Sequence, residues 1–130
     1  MIGVIENINV ISSFHAQSNI YRKIQNRKSH AFIFKIDGMA EYNFKEKKFL
    51  LQGGQVIFLP QGANYEYTSN GGLYTSINFY ADVENPEPCI FSLEDFYGTN
   101  FIFESFSNLW RFGALADKYK CISVFYDFLS

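Results

Sequence analysis

The chain is poor in the residues that staple, stop or ligate. It has two cysteines, three prolines and two histidines in 130 residues. Cys89 and Cys121 stand far apart and match no zinc or redox spacing. They read as reduced thiols, which places the protein in the cytoplasm. His15 and His30 are too few for a metal site built on imidazoles, and no cofactor motif accompanies them. No apolar run approaches the roughly 20 residues of a membrane span. The first residues, 1–6, lack the basic start and apolar core of a secretory signal. Net charge is −2, so nothing demands the basic face with which a domain grips nucleic acid.

Aromatic residues are abundant. Phe 15 and Tyr 9 bring the aromatic share to 19%, which favours pleated surfaces. The rings fill a β core or wall a pocket that receives an aromatic or sugar ligand. At this length one domain buries about two-thirds of its unfolded surface and needs no staple.

The most informative stretch is 53–67. Val56 to Leu59 is a short apolar run of the kind found in a strand buried on both faces. Gly53-Gly54 before it reads as a tight hairpin turn. Pro60 ends the strand because it has no N–H for a ladder, and Gly62 turns the backbone. Tyr65 and Tyr67 follow with period two and point to one side.

Other strands bracket this unit. Residues 1–18 read as an N-terminal arm with a short strand at Val10-Ile11, and His15 is a candidate ligand contact on it. The basic run Arg22, Lys23, Arg27, Lys28 reads as a solvated edge. The stretch 29–37 alternates: Phe32, Phe34 and Ile36 form a core face. Ala31, Ile33, Lys35 and Asp37 form a face that is open to water or lines a polar cavity. Lys45 to Lys48 is a charged hairpin tip. Asn70-Gly71-Gly72 is a hairpin signal, followed by a strand whose Tyr74, Ser76, Asn78 and Tyr80 share one face. Residues 81–88 form a loop. Beyond it, Thr99 or Asn100 caps a helix carrying Phe103, Phe106 and Trp110 at helical spacing, stopped at Gly113. A second helix from about Asp117 carries two apolar stripes. One contains Ile122, Phe125, Tyr126 and Leu129; the other contains Cys121, Val124 and Phe128. A sheet covers one side of such a helix, and another helix, subunit or domain covers the other.

The corner at Pro60 resembles the second motif of the cupin barrels. Gly54, Pro60 and Gly62 fall on that pattern. Its His position holds Tyr65 and its Asn position holds Ser69, so the frame is kept and the metal ligand is not. The whole order resembles the N-terminal effector-binding and dimerisation domain of AraC-family transcription regulators. Ile36-Asp37-Gly38, the hairpin Phe49 to Pro60, the Pro60-Gln61-Gly62 corner, Tyr65 and Tyr67, Ile77-Asn78-Phe79, Trp110 and Tyr126 to Leu129 carry the resemblance. It implies a mainly β fold: a cupin-like, jelly-roll β-barrel over 19–95 after an arm at 1–18, then an antiparallel helix pair over 99–130.

The resemblance also implies a function. A small polar effector, a sugar among the candidates, would bind in the barrel, with no catalysis and no metal. The expected contacts are Tyr65, Tyr67, Tyr74, Ser76, Asn78, Asp37, Lys35 and His15. Asp37 falls where some sugar-binding members carry Arg. Homodimerisation would use Tyr119, Ile122, Phe125, Tyr126 and Leu129. DNA would be bound only by a C-terminal domain outside these residues, with no membrane partner. The competing readings are a metal-dependent cupin enzyme, with His30, Asp37, Glu41 and Glu66 as its available ligands, and a ligand-free dimerisation scaffold. A stoichiometric bound metal marks the first; a ligand screen that shifts nothing marks the second.

Overall fold

A computed structural model describes residues 4–15, 19–113 and 115–129; the side chains of 13–15, 108, 111 and 112 lie outside that description. The fold is mainly β, as the resemblance implies. Strands β1 (Asn7–His15), β8 (Gly72–Tyr80), β3 (His30–Lys35), β6 (Gln55–Leu59) and β9 (Cys89–Phe91) make one antiparallel sheet in that order. Strands β2 (Ile20–Ile24), β7 (Tyr65–Ser69), β4 (Met39–Asn43) and β5 (Lys48–Gln52) make the other. Two helices follow, α1 (Phe96–Phe112) and α2 (Leu115–Leu129). Among the described residues no helix is long and apolar enough to cross a membrane.

The five-stranded sheet works on both faces, because period-two side chains alternate between them. Phe32, Phe34, Val56, Phe58, Ile77 and Phe79 face the helices and join Phe103 and Phe125 in one core. Ala31, Ile33, Ile57 and Leu59 face the second sheet and join Ala40, Tyr42, Leu51 and Tyr65 in another. That explains the unbroken apolar run Val56 to Leu59: a strand buried on both sides has no polar face to show.

The turns depart from the sequence reading. Gly53-Gly54 and Asn70-Gly71-Gly72 read as hairpins, yet β5 does not pair with β6, nor β7 with β8. Each turn hands the chain from one sheet to the other, as the jelly-roll arrangement requires. Turn chemistry fixes backbone angles, and burial decides which strands pair. Three such turns are knitted together at one end of the barrel. Gly53 N donates to Gly38 O at 3.2 Å, Gly54 N to Lys35 O at 2.7 Å, and Asn70 N to Met39 O at 3.1 Å. Gly72 has φ +96°, and a side chain there would collide with Asp37. The β4–β5 connection is a true hairpin, closed by Phe44 N to Lys47 O at 2.8 Å.

Two more elements differ. Residues 7–15 are not a loose arm with a short strand: β1 pairs along its length with β8. Its Ile8 and Val10 are buried while Ile11 faces the other side. Helix α1 starts at Phe96, ahead of Thr99. Asp95 is its cap, its Oδ1 accepting from Gly98 N at 3.1 Å. That satisfies one of the free N–H groups of the first turn.

Of the residues assigned to a dimer interface, Phe125 is fully buried in its own chain, with Phe79 at 4.9 Å between ring centroids and Phe103 at 5.7 Å. Ile122 and Leu129 pack on the same core. Tyr126 Oη accepts from Ile5 N at 2.7 Å, which ties the start of the chain to α2. Tyr119 alone of the five is mostly exposed, at 63%. The sheet therefore covers most of the apolar surface that the stripes set aside for a partner.

Candidate effector cavity

A cavity of ≈ 340 Å³ lies between the sheets. Seven strands contribute to its wall, and one loop. Strand β1 gives Ile11, β2 gives Ile20, Arg22 and Ile24, and the β2–β3 loop gives Arg27. Strand β3 adds Ile33 and Lys35, β4 adds Tyr42 and β6 adds Leu59. The rest comes from Tyr65 and Tyr67 on β7, and from Tyr74, Ser76 and Asn78 on β8.

Six of the eight residues expected as ligand contacts are thus brought together: Lys35, Tyr65, Tyr67, Tyr74, Ser76 and Asn78. Asp37 is not among them. The strand ends at Lys35, so the alternation that sends Ile33 and Lys35 inward stops there. Asp37 turns its carboxylate to the next crossing instead and accepts from Leu73 N at 2.7 Å. His15 ends β1 opposite Gly72, and its side chain lies outside the described residues.

Lys35 is not open to water. It is 2% exposed, and Nζ donates to Gly71 O at 2.8 Å and Ser69 Oγ at 3.3 Å. Burial lowers its pKa, and the nearby Asp37 charge works the other way. Burial also raises the phenols of Tyr42, Tyr65 and Tyr67, so they stay neutral donors and acceptors at ordinary pH; Arg27 opposes the rise at Tyr65.

Sequence reasoning missed Arg27, as it missed Arg22 and Tyr42 on the same wall. Arg27 Nη1 donates to Tyr65 Oη at 3.0 Å and its Nη2 to Asn78 Oδ1 at 2.7 Å, so one guanidinium spans from one sheet to the other. Nε is buried with no partner among the described residues. The backbone holds the loop in place: Gly62 N donates to Arg27 O at 2.7 Å and Arg27 N to Ala63 O at 3.0 Å. The Pro60-Gly62 corner thus positions the arginine. The run of four basic residues drew it into an edge reading.

His30, weighed as a metal ligand, faces away from the cavity, between Phe58 and Phe79. Gln61 N donates to its Nδ1 at 2.9 Å, so the ring proton sits on Nε2, which is 3.0 Å from Ala81 O. Among the described residues no three His, Cys, Asp or Glu converge as a metal site. In the place of the cupin histidine, Tyr65 meets Arg27.

Chemically the cavity combines five aliphatic side chains, four phenols and three basic groups: Arg22, Arg27 and Lys35. Among the described residues its wall contains no carboxylate. Such a lining suits an apolar body that carries an acceptor-rich or anionic group.

Neither a protein-family model nor a curated protein matches the sequence. Solved structures do resemble the fold. One is ToxT from Vibrio cholerae O395 bound to (E)-4-(8-methylnaphthalen-1-yl)but-3-enoic acid, at 11% identity and TM-score 0.59, covering 94% of this chain and 54% of that one. Another structure of ToxT from the same strain gives 12% identity and TM-score 0.57, with 94% and 52% covered. Unsaturated fatty acid-bound ToxT from strain SCE256 gives 8% identity and TM-score 0.54, with 99% and 53% covered. The chain therefore spans about half the length of these proteins. At these identities the likeness speaks for the fold: the chain has the cupin-like architecture of the N-terminal domain of ToxT, an AraC-family regulator.

Proposed function

We propose that this chain is the ligand-sensing domain of an AraC-type transcription regulator, and that its cavity takes a small amphipathic effector with an apolar body and an acidic head. The observation that carries the reading is the cavity wall, in which Arg22, Arg27 and Lys35 stand among aliphatic side chains and no carboxylate lines the wall among the described residues. A sugar would need acceptors spread around its rim, and Ile11, Ile20, Ile24, Ile33 and Leu59 offer none. The molecules named with ToxT, a naphthalenyl butenoic acid and an unsaturated fatty acid, are both apolar bodies with one carboxylate. They support an amphipathic acid over the carbohydrate suggested by the phenols. Contacts are assigned to Tyr65, Tyr67, Tyr74, Ser76 and Asn78 as the polar rim, and no DNA-binding surface is assigned to these residues.

A thermal-shift series with straight-chain carboxylates tests the reading. A ligand at 100 times its Kd adds about 2.7 kcal/mol, which is about 10 °C in Tm for a chain of this length. A library of such acids that shifts nothing would remove the reading.

A further inference from the structure

We infer that Arg27 is the carboxylate receptor of the cavity and sets its preference for an acid over the matching alcohol; this rests on the amphipathic-effector reading above. Three basic groups reach the cavity, and their present partners separate them. Lys35 Nζ donates to Gly71 O and Ser69 Oγ, where it closes the junction of three turns. Moving it to a ligand would open that junction. Arg22 lies exposed on β2, where water screens its charge.

Arg27 differs from both. Its Nε is buried and has no acceptor among the described residues, and its Nη2 holds one neutral amide oxygen, Asn78 Oδ1 at 2.7 Å. Nε and Nη2 share one edge of the planar guanidinium, and that edge matches the two oxygens of a carboxylate. A ligand carboxylate that displaces Asn78 Oδ1 from Nη2 reaches Nε in the same step. It exchanges one bond to a neutral acceptor and one orphaned donor for two bonds in which donor and acceptor are both ionised. Asn78 stays beside the head, where its amide N–H donates to the same carboxylate. Tyr65 Oη keeps its bond to Nη1, which holds the plane of the guanidinium toward β7. A lysine would supply the charge but not the two-pronged edge.

The experiment compares octanoate with 1-octanol by calorimetric titration on the wild type, Arg27→Gln, Arg27→Lys and Lys23→Gln. Lys23 is exposed on β2 and outside the cavity wall, so it controls for net charge. The wild type is expected to prefer octanoate by at least about tenfold. Arg27→Gln is expected to bring the two ligands within about threefold while still binding 1-octanol, and Arg27→Lys to fall between; these values follow from losing charge-assisted bonds. Lys23→Gln should keep the wild-type ratio. A second readout needs no variant to fold: in 15N–1H spectra of the wild type, the Arg27 Nε–H signal should shift and exchange more slowly as octanoate is added. An unmoved signal at saturation, or a full preference retained in Arg27→Gln, overturns the assignment and leaves the cavity reading standing. A wild type that binds neither ligand overturns both.

Discussion

Replacing Phe125 by Ala separates a residue that holds its own chain together from one that holds two chains together. Phe125 is fully buried, with Phe79, Phe103, Phe128 and Phe32 at ring-centroid distances of 4.9, 5.7, 6.1 and 6.2 Å. Removing such a ring from a packed core costs about 3–5 kcal/mol, because the transfer loss is joined by a cavity that its neighbours fill only in part. Unfolding entropy of roughly 2.1 cal/mol/K per residue gives about 0.27 kcal/mol/K for this chain, so Tm should fall by about 11–18 °C. Urea unfolding followed by far-UV circular dichroism, repeated over a wide range of protein concentrations, measures the loss. The difference from wild type should not change with concentration. Tyr119→Ala, on the exposed side of the same helix, should stay within about 0.5 kcal/mol. A Phe125→Ala loss below about 1 kcal/mol, or one that fades on dilution, would refute the core assignment and return Phe125 to a subunit interface.

Three further outcomes follow from the fold. Asp37→Ala removes the acceptor of Leu73 N at a sheet crossing; it should cost about 1–2 kcal/mol in urea unfolding and leave octanoate affinity unchanged, because Asp37 lies off the cavity wall. Gly72→Ala forces a side chain at φ +96° into Asp37 and should cost more than about 1 kcal/mol by the same measurement. His30 has its pKa lowered, first by burial, with the Ala81 hydrogen bond opposing and Arg27 adding to the fall. The unfolded chain then takes up its proton first as pH drops, so His30 contributes stability above about pH 6.5. That contribution is lost as pH falls from there through the folded pKa. Melting curves between pH 5 and 8 should show the loss, and His30→Gln should flatten that part of the profile.

The face assignments of β3 and β8 were legible because alternation is a local property. Phe32 and Phe34 against Ile33 and Lys35 declare two environments without reference to any other strand. The turns were legible only as turns. Gly54, at φ +88°, supplies the same backbone angle whether the next strand pairs with the last or leaves for another sheet. The choice between those outcomes rests on which faces find cover. The cap was read at Thr99 or Asn100 and lies at Asp95, because the apolar periodicity of α1 is clearest from Phe103 onward. Arg27 was not legible: its partners lie 38 and 51 residues away. Asp37 was misplaced by carrying alternation past the end of the strand. Both errors sit where the chain leaves regular structure, and there side-chain direction is set by tertiary hydrogen bonds.

A ligand in the cavity would meet two kinds of wall, and they differ in what they could pass on. Strands β3 and β6 are central, each bonded on both sides and packed on both faces. A close-packed core of this kind resists small graded shifts. Strands β1 and β2 are edges, each with one hydrogen-bonded neighbour, so displacing them breaks one ladder rather than two. Both reach the cavity, through Ile11 and through Ile20, Arg22 and Ile24. Strand β1 also carries the helices. Ser107 Oγ on α1 donates to Val10 O at 2.8 Å, and just before β1 Ile5 N donates to Tyr126 Oη on α2. Coupling between two sites needs an element whose position both of them sense. Ile11 and Val10 are adjacent residues of one edge strand, one facing the cavity and the other bonded to α1. That meets the condition without any movement of the aromatic core.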